Sequence, residues 1–349
     1  MKSMLRRFEP VELSAEEMEE SLIYVCYDRV IYHFFKRNLG IRNFSWLFSD
    51  RYWGFHYSEA NEPVQPVHNG LASIVDALGE HVSVSPSKLG EAIRPRLADG
   101  WKASAMVRFE RPDGSSHYTS TLIEGMDNDI VIYTKTNETS SRACLPLPLE
   151  EFAERLARNE DTTVSLQFLQ ASPALLNSLQ GEGVALYQRI HQLLYNHGEP
   201  RTLTTDGLDD LLADIDKRRQ ELLTPPLSKR DQLRMHKHVA NKIEPLLWAW
   251  SSIASDPECA ARLGDHRSHA LFAAINSIAI RLKAVLKWTS LICSRPRPGF
   301  LDSYVQEFSE LIREFSVLQN LAAEADKLLL SSAAAGVQAM MIGEESHEQ

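Results

Sequence analysis

A cysteine near the start of a helix, followed by a histidine at the start of a strand, is an order from which a reactive thiolate can be built. Cys26 opens Cys26-Tyr27-Asp28-Arg29-Val30-Ile31-Tyr32-His33-Phe34-Phe35, and His117 opens Tyr118-Thr119-Ser120-Thr121-Leu122-Ile123-Glu124-Gly125. A thiol attacks carbonyls as its thiolate, which a helix N-terminus and a nearby imidazolium both favour. A third polar group, commonly Asp or Asn, then orients the imidazole. The next strand-like run ends in Thr134-Lys135-Thr136-Asn137, so Asn137 is the candidate for that role. Cys26, His117 and Asn137 together would suit covalent acyl chemistry. Each also has a plainer reading: a buried structural thiol, a strand-end histidine and a turn asparagine.

Other residues that could meet a ligand are Trp53, His56 and His68, in and beside an aromatic segment that runs from Phe44 to Tyr57. For the two histidines, ordinary surface positions are the simpler account. Metal sites find little support. His236 and His238 are two apart and point to different sides of a helix, and His266 and His269 share a face without carboxylates to complete a ligand set. Cys26, Cys144, Cys259 and Cys293 form no Cys-x-x-Cys pair and no disulfide framework, so reduced thiols are expected. No Walker, Gly-x-Gly-x-x-Gly or Gly-x-Ser-x-Gly motif is present, and no cofactor is expected.

The elements that must position these residues fall into two patterns. Ser14-Ala15-Glu16-Glu17 reads as a capping box for a helix that runs past Phe34 to a stop at Gly40. Helical spacing recurs at 71–78 and 89–97, the latter with Ser87 as a cap, and again at 149–156. Alternation marks strands at 82–84, 103–109, 117–124, 130–133 and 162–168, with turn signals at Arg111-Pro112-Asp113-Gly114 and Asp127-Asn128-Asp129. From about Leu175 only helical spacing appears, in long amphipathic runs at 228–255, 269–294 and 301–330. The expected architecture is therefore an α+β domain with an antiparallel sheet over residues 1–172, an all-α helical bundle over 173–335 and a flexible tail over 336–349.

Bulk properties narrow the function class. The formal net charge of −10 argues against nucleic acid, whose phosphates need a basic surface. The longest apolar stretch, 270–292, is cut by Asn276, Arg281, Lys283 and Lys287, so no membrane span is expected. Phe8-Glu9-Pro10 stands where a signal peptide would need an apolar core, and a cytoplasmic location is expected. Trp248, Trp250 and Trp288 on long helices suggest a homodimer through the bundle.

Residues 20–168 resemble the N-terminal domain of the butirosin biosynthesis protein H family, which has a papain-like cysteine fold and is related to the peptidases that remove double-glycine leaders. The resemblance is carried by Cys26-Tyr27-Asp28-Arg29-Val30, by the strand Ala103 to Phe109 after Asp99-Gly100, by His117 to Gly125 and by Asp129 to Asn137. It implies a papain-like N-terminal domain with Cys26 as nucleophile and His117 as base. The implied reaction moves an acyl group from an acyl carrier protein or pantetheine thioester to a small-molecule amine, in secondary metabolism. This sequence departs from the family in two places. Thr134-Lys135-Thr136-Asn137 lacks the expected Asp, and a Gly-rich turn after the first helix is replaced by Leu47-Phe48-Ser49-Asp50-Arg51-Tyr52-Trp53-Gly54. Those departures motivate an alternative, a non-catalytic binding or scaffold member of the same fold. A cysteine peptidase or thioesterase is a further alternative.

Overall fold

The computed structural model describes residues 20–24, 26–58, 64–66, 70–110, 116–135, 144–156, 163–195, 206–224 and 229–331. Helix α1 (Cys26–His33) continues into a π-helical turn (Phe34–Asn38) and is followed by a 3-10 helix (Phe44–Trp53). A two-stranded ribbon of β1 (Phe55–Tyr57) and β2 (Val64–Pro66) comes next. Then follow α2 (Gly70–Leu78), β3 (Gly79–Val84), α3 (Leu89–Ala98), β4 (Lys102–Glu110), β5 (Ser116–Asp127), β6 (Ile130–Lys135), β7 (Cys144–Pro148), α4 (Leu149–Leu156) and β8 (Val164–Leu169). Beyond them every described element is helical: α5 (Pro173–Leu179), α6 (Gly183–Leu194), α7 (Asp206–Lys217), α8 (Arg219–Leu222), α9 (Lys229–Ser255), α10 (Pro257–Leu263), α11 (Asp265–Ser294) and α12 (Pro298–Leu330). The protein is thus mixed, with an antiparallel six-stranded sheet followed by a long helical region.

The chain forms two compact units. One joins residues up to Phe44 to Ser73–Asn177, and the other joins Ser45–Ala72 to the residues from Ser178 onward. In the first, the sheet order is β3-β8-β4-β5-β6-β7 with every neighbour antiparallel. Strand alternation sends Ala103, Ala105, Val107 and Phe109 to one face, where they pack with Ile93 of α3 and with Phe152 and Leu156 of α4. The tight turn between β5 and β6 rests on Asn128 at φ 53°, a conformation that Asn tolerates. Strand β7 carries Pro146 and Pro148, which mask a strand pattern in the sequence. It is one of the sheet's two outer strands, where a missing N–H can be tolerated.

In the second unit, α11 and α12 pack along each other across the turn at Arg295–Arg297. Pro298 sits in the first turn of α12, where its missing N–H costs nothing. The aromatic segment belongs to this unit. Trp46 Nε1 donates to Ser252 Oγ at 3.0 Å, the Trp46 ring meets Tyr187, and Phe55 meets Phe315. Among the described helices α11 is long and apolar enough to cross a membrane by length and composition. A row of its side chains, including Leu271, Ile275, Ile278, Leu282 and Val285, is buried. Of the tryptophans expected at a dimer interface, Trp250 is fully buried, Trp288 meets the Phe300 ring at a tilt, and Trp248 is 42% exposed.

The expected first helix is interrupted. Residues 20–23 are helical, the chain bends at Tyr24, and the helix resumes at Cys26. The Ser14 capping box lies outside the described residues. The expected Ser87 cap is replaced by Ser85, which precedes a 3-10 turn at Pro86–Lys88 that leads into α3. No side chain caps either start.

Candidate functional site

A side-chain contact accompanies the bend at Tyr24. The Arg29 guanidinium turns back and donates to the Tyr24 carbonyl at 2.8 and 3.1 Å, which satisfies a carbonyl that a continuous helix would have used. The Tyr24 ring is buried, stacked on Tyr32 and edge-on to Phe44. Helix α1 is described from Cys26 onward. At the other end, Phe34 and Phe35 are buried in the π-helical turn. Arg37 and Asn38 then reach the Glu124 carboxylate, where β5 carries a bulge between Ile123 and Gly125. Thr134 Oγ1 donates to Glu124 at 2.8 Å and accepts from Arg37 at 3.1 Å, and Lys102 Nζ lies 3.7 Å from the same carboxylate. This cluster ties the end of the helix to the sheet.

The sheet face toward α1 is the one opposite the α3–α4 core. Tyr27 Oη of α1 donates to Gln167 Oε1 of β8, and Gln167 stands opposite Ser104 on one side and His81 on the other. A cavity of about 470 Å³ opens here. Its polar lining comes from Tyr27, Ser104, Ser120, Thr163, Ser165 and Gln167, with His81 on the outer strand β3. Met106 supplies apolar wall, and Ala105, Leu156 and Val164 of the α3–α4 core reach the cavity as well. Ser120 Oγ donates to Met106 Sδ at 3.1 Å. Gln167 is 5% exposed, and its Nε2 has no hydrogen-bond partner. Burial raises the Tyr27 phenol well above its usual range, with smaller contributions from Asp76 and Asp28, so it stays protonated as a donor.

His117 pairs with Phe109 in the β4–β5 register. By strand alternation it falls in the set of Thr119, Thr121 and Ile123, and Ile123 belongs to the α3–α4 core. The alternate set, with Ser120 and Leu122, pairs with Met106 and Ser104 on the α1 side. Helix α1 therefore lies against β5 while His117 occupies a position of the opposite set. Asn137 and His68 lie outside the described residues. Trp53 ends the 3-10 helix, and His56 is an exposed residue of β1 paired with Gln65. Both belong to the second unit, whereas Cys26 and His117 belong to the first.

The thiols of Cys259 and Cys293 are pushed up by burial, with Asp256 adding to the effect at Cys259. Among the described residues no group of three His, Cys, Asp or Glu is placed to hold a metal. No protein-family model matches the sequence, and no curated protein is significantly similar to it.

The cavity residues are not among the candidates that residue type and spacing single out. A signal existed in β8, where Ser165 and Gln167 alternate with Leu166 and Phe168. Polar residues at every second position mark a second, polar sheet face. That α1 brings Tyr27 to that face is something no local pattern reveals.

Proposed function

We propose that the first unit is a non-catalytic binding module that takes a small molecule in the cavity on the α1 side of its sheet. The observation that carries this reading is the cavity's lining. Several hydroxyls and one amide converge there around a volume in the usual range for ligand pockets. A fragment screen read on the methyl resonance of Met106 tests the reading. Fragments should shift that resonance in the wild type and not in Ser120→Trp, which fills the space. A screen with no such fragment would remove the proposal.

A second reading keeps the acyl chemistry, because α1 begins at Cys26 and a helix N-terminus lowers a thiol's pKa. In it the Cys26 thiolate attacks the carbonyl of a carrier-protein thioester and the pantetheine thiol leaves. An amine then attacks the acyl-cysteine and restores the thiol. The pH dependence of alkylation at each cysteine discriminates the two readings. Fast reaction of Cys26 near neutral pH, slowed by His117→Ala, would favour transfer. Reaction no faster than that of Cys259 or Cys293 would leave binding as the surviving reading. Both readings place the protein in the cytoplasm, and an assembly through the exposed Trp248 is open to test by light scattering.

A further inference from the structure

We infer that the cavity takes a small organic acid whose carboxylate bridges Gln167 and His81. This rests on the binding reading and names the ligand chemistry of the same site.

Gln167 stands directly opposite His81 of β3 on one side and Ser104 of β4 on the other, so the three residues form a row across one face of the sheet. All three line the cavity. The amide is held at one end, where Oε1 accepts from the Tyr27 hydroxyl. Its other end is an unmet donor, since the residue is 5% exposed and Nε2 has no hydrogen-bond partner. A buried donor left in this way costs free energy that an arriving acceptor recovers.

His81 decides which acceptor that is. It lines the cavity from an outer strand of the sheet and is itself exposed. Directly opposite residues on antiparallel strands have Cβ atoms about 4.5–5.5 Å apart. One carboxylate can span such a pair, with one oxygen on the amide N–H and the other on the imidazole. An imidazole offers an N–H donor in either protonation state and a positive charge in one of them. Hydrogen bonds to an ionised acceptor are roughly twice as strong as neutral ones. Among the described residues the lining holds no carboxylate of its own to repel the ligand or to pair with a cation. Asp28 and Asp76 bear on Tyr27 from outside the lining, so the anion belongs at Nε2 and His81 rather than at the phenol. The apolar body of the acid packs on Met106, an unbranched and flexible wall residue.

The test uses the full chain carrying ¹³C-methyl methionine and three probes that share a ring: benzoate, benzamide and benzylamine. Benzoate is expected to shift the Met106 methyl resonance saturably, with benzamide about tenfold weaker and benzylamine weaker still. His81→Ala, at an exposed position, should weaken benzoate by about tenfold and leave benzamide within about twofold. Gln167→Met, which removes the donor at similar length, should weaken both by about tenfold. If Gln167→Met fails to fold, the contrast between benzoate and benzamide in His81→Ala carries the test alone. If benzamide or benzylamine binds as tightly as benzoate, or if His81→Ala binds benzoate like the wild type, the ligand class is wrong while the cavity still binds. If none of the three probes moves Met106, this inference falls, and the fragment screen decides separately whether the binding reading falls with it.

Discussion

Tyr187 of α6 donates a 2.5 Å hydrogen bond to the carboxylate of Asp326 on α12, and both residues are buried. The bond joins the start of the helical region to its last helix. His191 Nε2, one turn further along α6, lies 3.9 Å from the other carboxylate oxygen. Removing the phenolic hydroxyl leaves a buried carboxylate short of a donor. Tyr187→Phe should therefore cost about 1.5–3 kcal/mol, the range for hydrogen bonds to charged groups. Urea unfolding measures it, and a midpoint equal to that of the wild type would show that the bond contributes nothing.

His33 should make the first unit sensitive to acid. It is 2% exposed with no partner at Nδ1, and burial, then Arg37 and Arg29, push its pKa from 6.5 down to about 3. The folded state thus binds its proton less readily than the unfolded chain. The corresponding stability is fully present above pH 6.5 and is lost as pH falls from there toward 3, at up to about 1.4 kcal/mol per pH unit. His33→Phe should flatten the stability profile in that window. Parallel pH titrations of melting for the two proteins check this, and parallel curves would refute it.

Gly207 lies where α7 passes the ribbon strand β1. A Cβ there would stand 2.1 Å from the Phe55 carbonyl oxygen, which is backbone and cannot swing aside. Gly207→Ala should destabilise the second unit by about 1–3 kcal/mol, the usual cost of overpacking. Thermal denaturation gives the answer, and an unchanged or raised melting temperature would mean that the close approach is absent.

Glu124 gathers Arg37, Asn38, Lys102 and Thr134 at the end of α1. Glu124→Ala takes the carboxylate away from Arg37 and Lys102, so a loss of roughly 1–3 kcal/mol is expected. Because the cluster holds α1 to the sheet, hydrogen exchange of the α1 amides should rise as well. Faster exchange everywhere to the same degree would point to global destabilisation instead.

Much of the architecture was legible without coordinates. The helical period at 149–156 and in the three long C-terminal runs reappears as α4, α9, α11 and α12 within a few residues. Alternation at 103–109 and 117–124 reappears in β4 and β5. These are periodic properties of the chain itself, set by which faces must leave water. Strand β7 was hidden because Pro146 and Pro148 read as loop, and only a place at the sheet's edge makes them tolerable. The interruption before Cys26 was hidden because Arg29 reaches back to Tyr24, a side-chain choice that the helical pattern does not encode. Side-by-side position in the sequence also misassigned the aromatic segment, whose Trp46 and Phe55 find their partners at Ser252 and Phe315. The cavity lies furthest from the sequence. Tyr27, Ser120 and Gln167 are distant in the chain and meet because sheet register sets which residues share a face, while the packing of α1 brings Tyr27 to that face.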